Sequence, residues 1–371
     1  MYKPLIFSLL VLLAACNISM GENISTSTNS SNLVEVAGIQ QQPTGIAVSH
    51  EGRIFVNFPR WVDNISMSVA EVLPNGMVRA YPNWTINQWD ASLNASNRLV
   101  CVQSVYIDEN NNLWILDPAA PRFTGPVPGG PKLLQVDLAS GRVMRTYHFN
   151  NSIVPIKSYL NDVRVDARNR YAYMTDSGLG AIVVLNLNTG QARRVLGNNS
   201  STKAEPIILK IDGRPLVYVD GSPVRFNSDG IALDSQGQYL YYHALTGRTL
   251  YRIRTDYLRD FTLNEPLIAS GVEKLGEDCA TDGMIMDQAG NIYLACVEES
   301  AIMARQLSGS SSSLALRTVA QDQRIQWPDS MSLGPDGYLY VTASQLHLMP
   351  IIAEGKDLRN PPYRIFKVRT V

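Results

Sequence analysis

Six residues could do chemistry together if the chain brought them to one place: Thr44, Gln103, Asn161, Asp229, Asp282 and Asp329. Each stands just ahead of a short apolar strand, at the same point of a recurring segment. Carboxylates and amides converging on one cavity repel one another unless a cation, a proton or a cationic ligand offsets the charge. Two chemistries would use such a ring. Asn161, Asp229 and Asp282 could hold a hard divalent ion such as Ca²⁺ through oxygen, and that ion would polarise a lactone or other carbonyl and lower the pKa of a bound water. Thr44, where a carboxylate would be wanted, leaves that shell thin. Alternatively, the acids pair with a protonated amine while Trp61, Tyr106 or Tyr242 covers its ring. A plainer use is open as well, because Asp and Asn at strand ends cap loop N–H groups. The four histidines, His50, His148, His243 and His347, show no metal-ligand spacing, and the chain has no nucleophile elbow or phosphate-binding loop. Only His243 stands out, at the end of a predicted strand returning toward Asp229. A satisfied structural imidazole is its alternative role.

What must position these residues is a repeat. A short apolar strand, a turn bearing Gly, Asn or Asp, and a second strand rich in Tyr, Leu and Val recur in "PTGIAVSHEGRIFVNF", "VQSVYIDENNNLWILD", "LNDVRVDARNRYAYMTD", "SDGIALDSQGQYLYYH", "TDGMIMDQAGNIYLAC" and "PDSMSLGPDGYLYVTA". Aligned on Gly45, Ser104, Asp162, Gly230, Gly283 and Ser330, the copies are 59, 58, 68, 53 and 47 residues apart. A four-stranded propeller blade with its loops needs about 40 to 50. Several tails carry a second alternating hairpin: "KLLQVDLASGRVMRTYHF", "AIVVLNLNTGQARRVL" and "TLYRIRTDYL". The pattern predicts an all-β, six-bladed β-propeller of four-stranded blades over residues 33–371. "LVEVAGI" (Leu33 to Ile39) has no partner of its own and should join the last blade beside "YRIFKV" (Tyr363 to Val368), closing the ring.

Ahead of the propeller, Lys3, an apolar stretch from Leu5 to Leu13 and then Leu13-Ala14-Ala15-Cys16 read as a lipoprotein leader, residues 1–16, with Cys16 as the lipidated residue and membrane anchor. An ordinary secretory signal is the alternative. Residues 17–32 read as a disordered tether. The expected location is the bacterial cell envelope, or else the extracellular space, although the sequons at Asn64, Asn83, Asn94 and Asn199 would invite glycans in a eukaryotic secreted protein. Among the other cysteines, Cys279 and Cys296 flank a predicted hairpin and form the preferred disulfide; three buried thiols are the alternative. The serine run Ser308 to Ser313 reads as an exposed loop. With 32 basic against 33 acidic residues, no long-range field would gather nucleic acid or anionic membrane. A monomer with a small-molecule ligand is expected.

Five segments, "VQSVYIDENNNLWILD", "LNDVRVDARNRYAYMTDSGLGAIVVLNLNTG", "SDGIALDSQGQYLYYHALTGRTLYRIRTDYLRD", "RIQWPDSMSLGPDGYLYVTASQLH" and "NPPYRIFKV", resemble in that order the signature segments of the major royal jelly and yellow protein family. The resemblance runs from about residue 34 to the C-terminus. It implies a secreted six-bladed propeller with a pocket at one mouth of its central channel. It does not imply one activity: insect members are associated with dopachrome-type tautomerisation, salivary members bind biogenic amines, and royal jelly members serve as nutrient and structural proteins. A lone "DGIALD" also suits gluconolactonase-like propellers, so a metal-dependent lactone hydrolase stays open, as does a non-enzymatic interaction propeller. The bacterial-looking leader and few cysteines depart from the insect pattern, so the insect disulfides are not carried over.

Overall fold

The computed structural model describes residues 32–307 and 315–371. The predicted leader with Cys16, the tether up to residue 31 and the serine run at 308–313 lie outside the described residues.

Six four-stranded antiparallel sheets succeed one another along the chain, and each is laid down from the axis outward. Their innermost strands are Ile46–Val48, Ser104–Ile107, Leu160–Asp166, Ser228–Leu233, Thr281–Met286 and Pro328–Leu333. The first five blades are continuous in sequence. The sixth runs Pro328–Leu333, Tyr338–Ala343, Tyr363–Arg369 and takes its rim strand, Val34–Ile39, from the other end of the chain. Ile39 sits opposite Tyr363 and Val34 opposite Lys367. The chain is thus a six-bladed propeller latched by its N-terminal strand.

Radial stacking explains why the middle strands are apolar on both faces. "AIVVLN" at Ala181–Asn186 is buried at five consecutive positions, whereas "RVMRTYH" at Arg142–His148, on the rim, is exposed at all but Tyr147. Among the described residues, one apolar cluster fills each blade interface. Trp114, Leu116 and Leu133 meet Val163 and Met174 between the second and third blades, and Ala37, Ile39 and Ile365 meet Ile46 and Val56 where the ring closes. A further cluster, including Trp61, Cys101, Trp327 and Met349, lies among the loops of one mouth.

Insertions account for the uneven repeat spacing. The long third interval contains residues 196–227 with the small hairpin Lys210–Ile211 and Arg214–Pro215. In the fourth blade the outer hairpin differs from expectation: after Thr249–Arg254 the segment "TDYLR" forms the helix Thr255–Arg259, a second helix follows at Glu265–Ser270, and the partner strand is Val272–Glu277. Period-two alternation ends at Arg254. Burial of Leu258 and Ile268 against the third and fourth blades then favours helix over a tight turn.

Two sets of Asp side chains in the repeats are structural. At the hairpin turns, Asp108 accepts from the Asn110 and Asn112 N–H groups and from Trp114 Nε1, and Asp287 and Asp336 accept from the hydroxyls of Tyr293 and Tyr340. At the ends of second strands, Asp117 accepts from the N–H groups of Val100, Cys101 and Ala119, and Asp176 from those of Tyr159, Gly178 and Leu179. These carboxylates hold the loops that lead into the axial mouth.

Candidate functional site

Inner strands of neighbouring blades come so close at the axis that the residue after each acid must be small. A Cβ on Gly230 would stand 2.3 Å from the Asp282 carbonyl oxygen, and one on Gly283 would stand 2.4 Å from that of Asp329. In blades three to six the ladder also slips at this point: register shifts fall between Leu160 and Val163, Ser228 and Ile231, Thr281 and Met284, and Pro328 and Met331. Bulges of this kind re-aim side chains. Here they span the Asn161, Asp229, Asp282 and Asp329 positions.

Five of the six expected ring residues, Gln103, Asn161, Asp229, Asp282 and Asp329, line one cavity of about 570 Å³. Thr44 does not join the lining. Its hydroxyl donates to the Gln103 carbonyl oxygen at 2.9 Å and accepts from Asn57 Nδ2 at 2.7 Å, fastening the first blade to the second. A directional chain runs around the floor. Trp61 Nε1 donates to the Tyr159 hydroxyl at 2.6 Å, Tyr159 to Gln103 Oε1 at 3.0 Å, Gln103 Nε2 to Asn161 Oδ1 at 3.2 Å, and Asn161 Nδ2 to Asp229 Oδ2 at 2.7 Å. Asp229 Oδ1 is buried and meets no N–H or hydroxyl donor. Asp282 Oδ2 accepts from Trp327 Nε1 at 2.6 Å. Trp327 makes this bond from a left-handed backbone, φ 55°, which a bulky residue adopts only when its surroundings hold it there.

Burial dominates the electrostatics of the floor. Desolvation, then repulsion from Asp282, Asp162 and Asp329, drives the Asp229 carboxyl well above the usual carboxylate range. Asp329 is likewise driven well up by desolvation and by Asp282 and Asp162, against hydrogen bonds from Ser344 and Ser330. Asp282 is raised to about 7, again chiefly by desolvation, with the Trp327 N–H opposing the rise. The floor therefore holds protons near neutral pH and one group poised to exchange them.

For this set to hold a hard divalent ion, the Asn161 amide would have to turn over. Ca²⁺ takes about six to eight oxygens, yet Asn161 turns its NH₂ toward Asp229 and commits its oxygen to Gln103. Among the described residues, the one group of three or more His, Cys, Asp or Glu side chains with ligand atoms mutually within 4.8 Å is Cys279, Cys296 and Glu299. In that group the two sulfurs are bonded to each other, with Cα atoms 5.6 Å apart. Cys101 is free and buried, and burial pushes its thiol up to about 12, so it is inert.

The model of the major royal jelly proteins matches residues 100–370. The chain belongs to the major royal jelly protein family. Major royal jelly protein 1 of Apis mellifera is 23% identical over 310 residues, 78% of this chain and 68% of the relative. The L-dopachrome tautomerase yellow-f of Drosophila melanogaster is 23% identical over 381 residues, 93% of this chain and 82% of the relative. Among solved structures, a gluconolactonase from Xanthomonas campestris superposes with a TM-score of 0.52 at 12% identity, covering 91% of this chain and 88% of that one. At that identity the likeness is one of fold.

In this member of the family, the aromatic residues singled out in the sequence separate. Trp61 lines the cavity. Tyr106 faces the opposite mouth, in a second cavity of about 390 Å³, beneath the Arg164 guanidinium. Tyr242 is enclosed between blades, its ring stacked on Tyr251 and its hydroxyl bonded to Ser201. His243 is also enclosed: Nδ1 bonds the Ala244 carbonyl and burial lowers the imidazole to about 4, so it stays neutral away from the cavity. Other site residues carried no sequence signal. Tyr159, Lys157, Arg225 and Phe226 come from irregular loops, and Phe123 from the 3-10 turn Pro121–Phe123. Asp162, by contrast, follows Asn161 in the repeat and could have been found by reading one position further. It lies one layer deeper, receives the Ser104 hydroxyl at 2.9 Å and sits 3.9 Å from Arg164.

Proposed function

We propose that this protein binds a small, ring-containing molecule at the axial mouth and isomerises it by proton transfer, in the manner of a dopachrome-type tautomerase. The observation that carries this reading is the floor itself: Asp229 and Asp282, both buried and raised, lie at the base of a cavity walled by Trp61, Phe123, Tyr159 and Phe226. Tautomerisation needs a base to take a proton from carbon and an acid to give one to oxygen, with no net change in the enzyme. Asp282 is the base, because the Trp327 N–H favours its ionised form. Asp229 is the acid, because its raised carboxyl holds a proton and hydrogen-bonds the Asp282 carboxyl beside it. The two titrate as a pair, so each proton transfer shifts the balance of the other. A proton moved from substrate carbon to Asp282 and another moved from Asp229 to substrate oxygen leave the pair with its charge exchanged, and the proton returns between them.

The relationship to the L-dopachrome tautomerase supports this choice over a lactonase, whose likeness is confined to the fold. For location, the Lys3 to Cys16 pattern supports export with a lipid anchor on Cys16 in a bacterial-type envelope. The deciding experiment follows the loss of L-dopachrome absorbance with the parent protein and with Asp282→Asn. Catalysed decay in the parent that falls at least about a hundredfold in the variant is expected for loss of a general base. Decay at the uncatalysed rate in the parent would refute the reading.

A further inference from the structure

The opposite mouth of the channel differs in kind from the acid floor. Its cavity of about 390 Å³ is lined by Ile46, Val105, Leu233, Ile285 and Met331, one from the inner strand of every blade but the third. The third supplies Arg164, which is 6% exposed. Nη1 donates to the Val163 carbonyl oxygen at 2.7 Å, Nη2 donates to that of Met284 on the fifth blade, and the guanidinium carbon lies 5.3 Å from the centre of the Tyr106 ring on the second. Second and fifth blades face each other in a ring of six, so this charge lies across the axis. Nε is buried and has no hydrogen-bond partner. The acids lining the same cavity do not balance it. Asp108 is held by Asn112 and Trp114, and Glu109 pairs with Arg168 at 3.0 Å. Asp162 stands 3.9 Å from Arg164, beyond hydrogen-bond reach, and accepts the Ser104 hydroxyl instead. Burial raises the Asp162 carboxyl against the pull of Arg164, which favours its neutral form. A buried cation without a counter-charge is costly, and an anion that reaches it offsets that cost.

We propose that this opposite mouth is a second binding site, which takes a small monocarboxylate with an apolar tail, its carboxylate on Arg164 and its tail against the inner-strand side chains. One guanidinium matches one carboxylate in charge and in planar geometry. A phosphate would leave oxygens facing hydrocarbon, an amine would be repelled, and a neutral apolar molecule would leave the buried charge as it is. The Tyr106 ring beneath the guanidinium keeps it in place as the ligand enters. The site is independent of the chemistry at the floor. Gln103, Asn161 and Asp329 line the axial cavity, while the residue after each, Ser104, Asp162 and Ser330, lines the opposite one, so a single layer of side chains separates the two.

The test uses hexanoate and hexanamide, which share a tail and differ in charge, titrated into protein labelled at its methionine methyl groups and followed by NMR. Met286 and Met331 line the opposite mouth and Met349 the axial cavity, and Met→Leu variants at these positions assign the signals. Hexanoate should move the Met286 and Met331 signals saturably, with Kd on the order of a millimolar or tighter, and leave Met349 in place. Hexanamide should bind at least about tenfold more weakly. Arg164→Gln should bring acid and amide to within about twofold of each other, whereas Arg164→Lys, which keeps the charge, should retain the preference for the acid. No saturable shift at Met286 and Met331, a shift confined to Met349, equal affinities for acid and amide in the parent, or a preference that survives Arg164→Gln would each overturn the inference. Should Arg164→Gln not fold, the comparison of acid with amide in the parent decides it alone.

Discussion

Replacing Asp282 by Asn should change how stability depends on pH, and the structure fixes the sign. In the unfolded chain this carboxyl titrates near 3.8; in the folded one burial raises it to about 7. Between those values the native state holds a proton that the unfolded state has released. Stability from this group is therefore full below about pH 4, declines as pH rises, and is lost by about pH 7. The slope is about 1.4 kcal/mol per pH unit, and the whole effect is about 4 kcal/mol. Asn keeps the shape, can still accept from Trp327 Nε1, and has no proton to lose. It also removes a negative neighbour from Asp229 and Asp329, both of which Asp282 pushes upward. Urea unfolding of parent and variant at half-unit steps from pH 5 to pH 8 measures the difference. The parent should lose stability across this range more steeply than the variant, by about one proton's worth, and the variant should be the more stable of the two at pH 8. Parallel curves, or a parent that gains stability relative to the variant as pH rises, would show that the floor is not protonated in the way argued.

Further outcomes can be checked on the same material. Gly230→Ala would place a methyl 2.3 Å from the Asp282 carbonyl oxygen, so it should push the fourth and fifth inner strands apart and lower Tm, and should cost the proposed tautomerase activity as much as Asp282→Asn does. Lys132→Met strands Asp117, whose carboxylate Lys132 meets at 3.0 Å with both side chains buried; chemical denaturation should show a loss of about 3 to 5 kcal/mol. Deleting Val34–Ile39 removes the rim strand of the last blade and should lower the melting temperature in a single cooperative transition rather than produce a separate early phase. Because Asn161 presents nitrogen to the acids, millimolar Ca²⁺ should leave Tm unchanged; a rise abolished by Asp229→Asn would restore the ion-binding reading.

The scaffold was legible because it is written six times. The Gly, Ser or Asp at the head of each inner strand and the aromatic-rich second strand recur whatever the loops between them do, and burial on both faces removes any ambiguity about which residues point inward. The acid floor was legible for the same reason: Asp229, Asp282 and Asp329 occupy one position of the repeat. Thr44 occupies it too but lies outside the cavity lining, where its hydroxyl bridges Asn57 and the Gln103 carbonyl. Loop residues escaped because nothing periodic marks them. Arg225 and Lys157 reach the cavity through where residues 149–159 and 196–227 fold back over the mouth, and that path depends on buried anchors such as Asp176 rather than on any local pattern. Tyr242 and His243 lie on Tyr239–Ala244, the second strand out from the axis, where side chains are enclosed between blades rather than turned to the cavity.

The latch also orders events in time. Val34–Ile39 emerges from the ribosome well before Tyr363–Arg369, the strand it must pair with. The chain must therefore keep that strand idle while five blades assemble, and a precursor stalled short of its final turn would display two raw sheet edges to any chaperone or protease within reach.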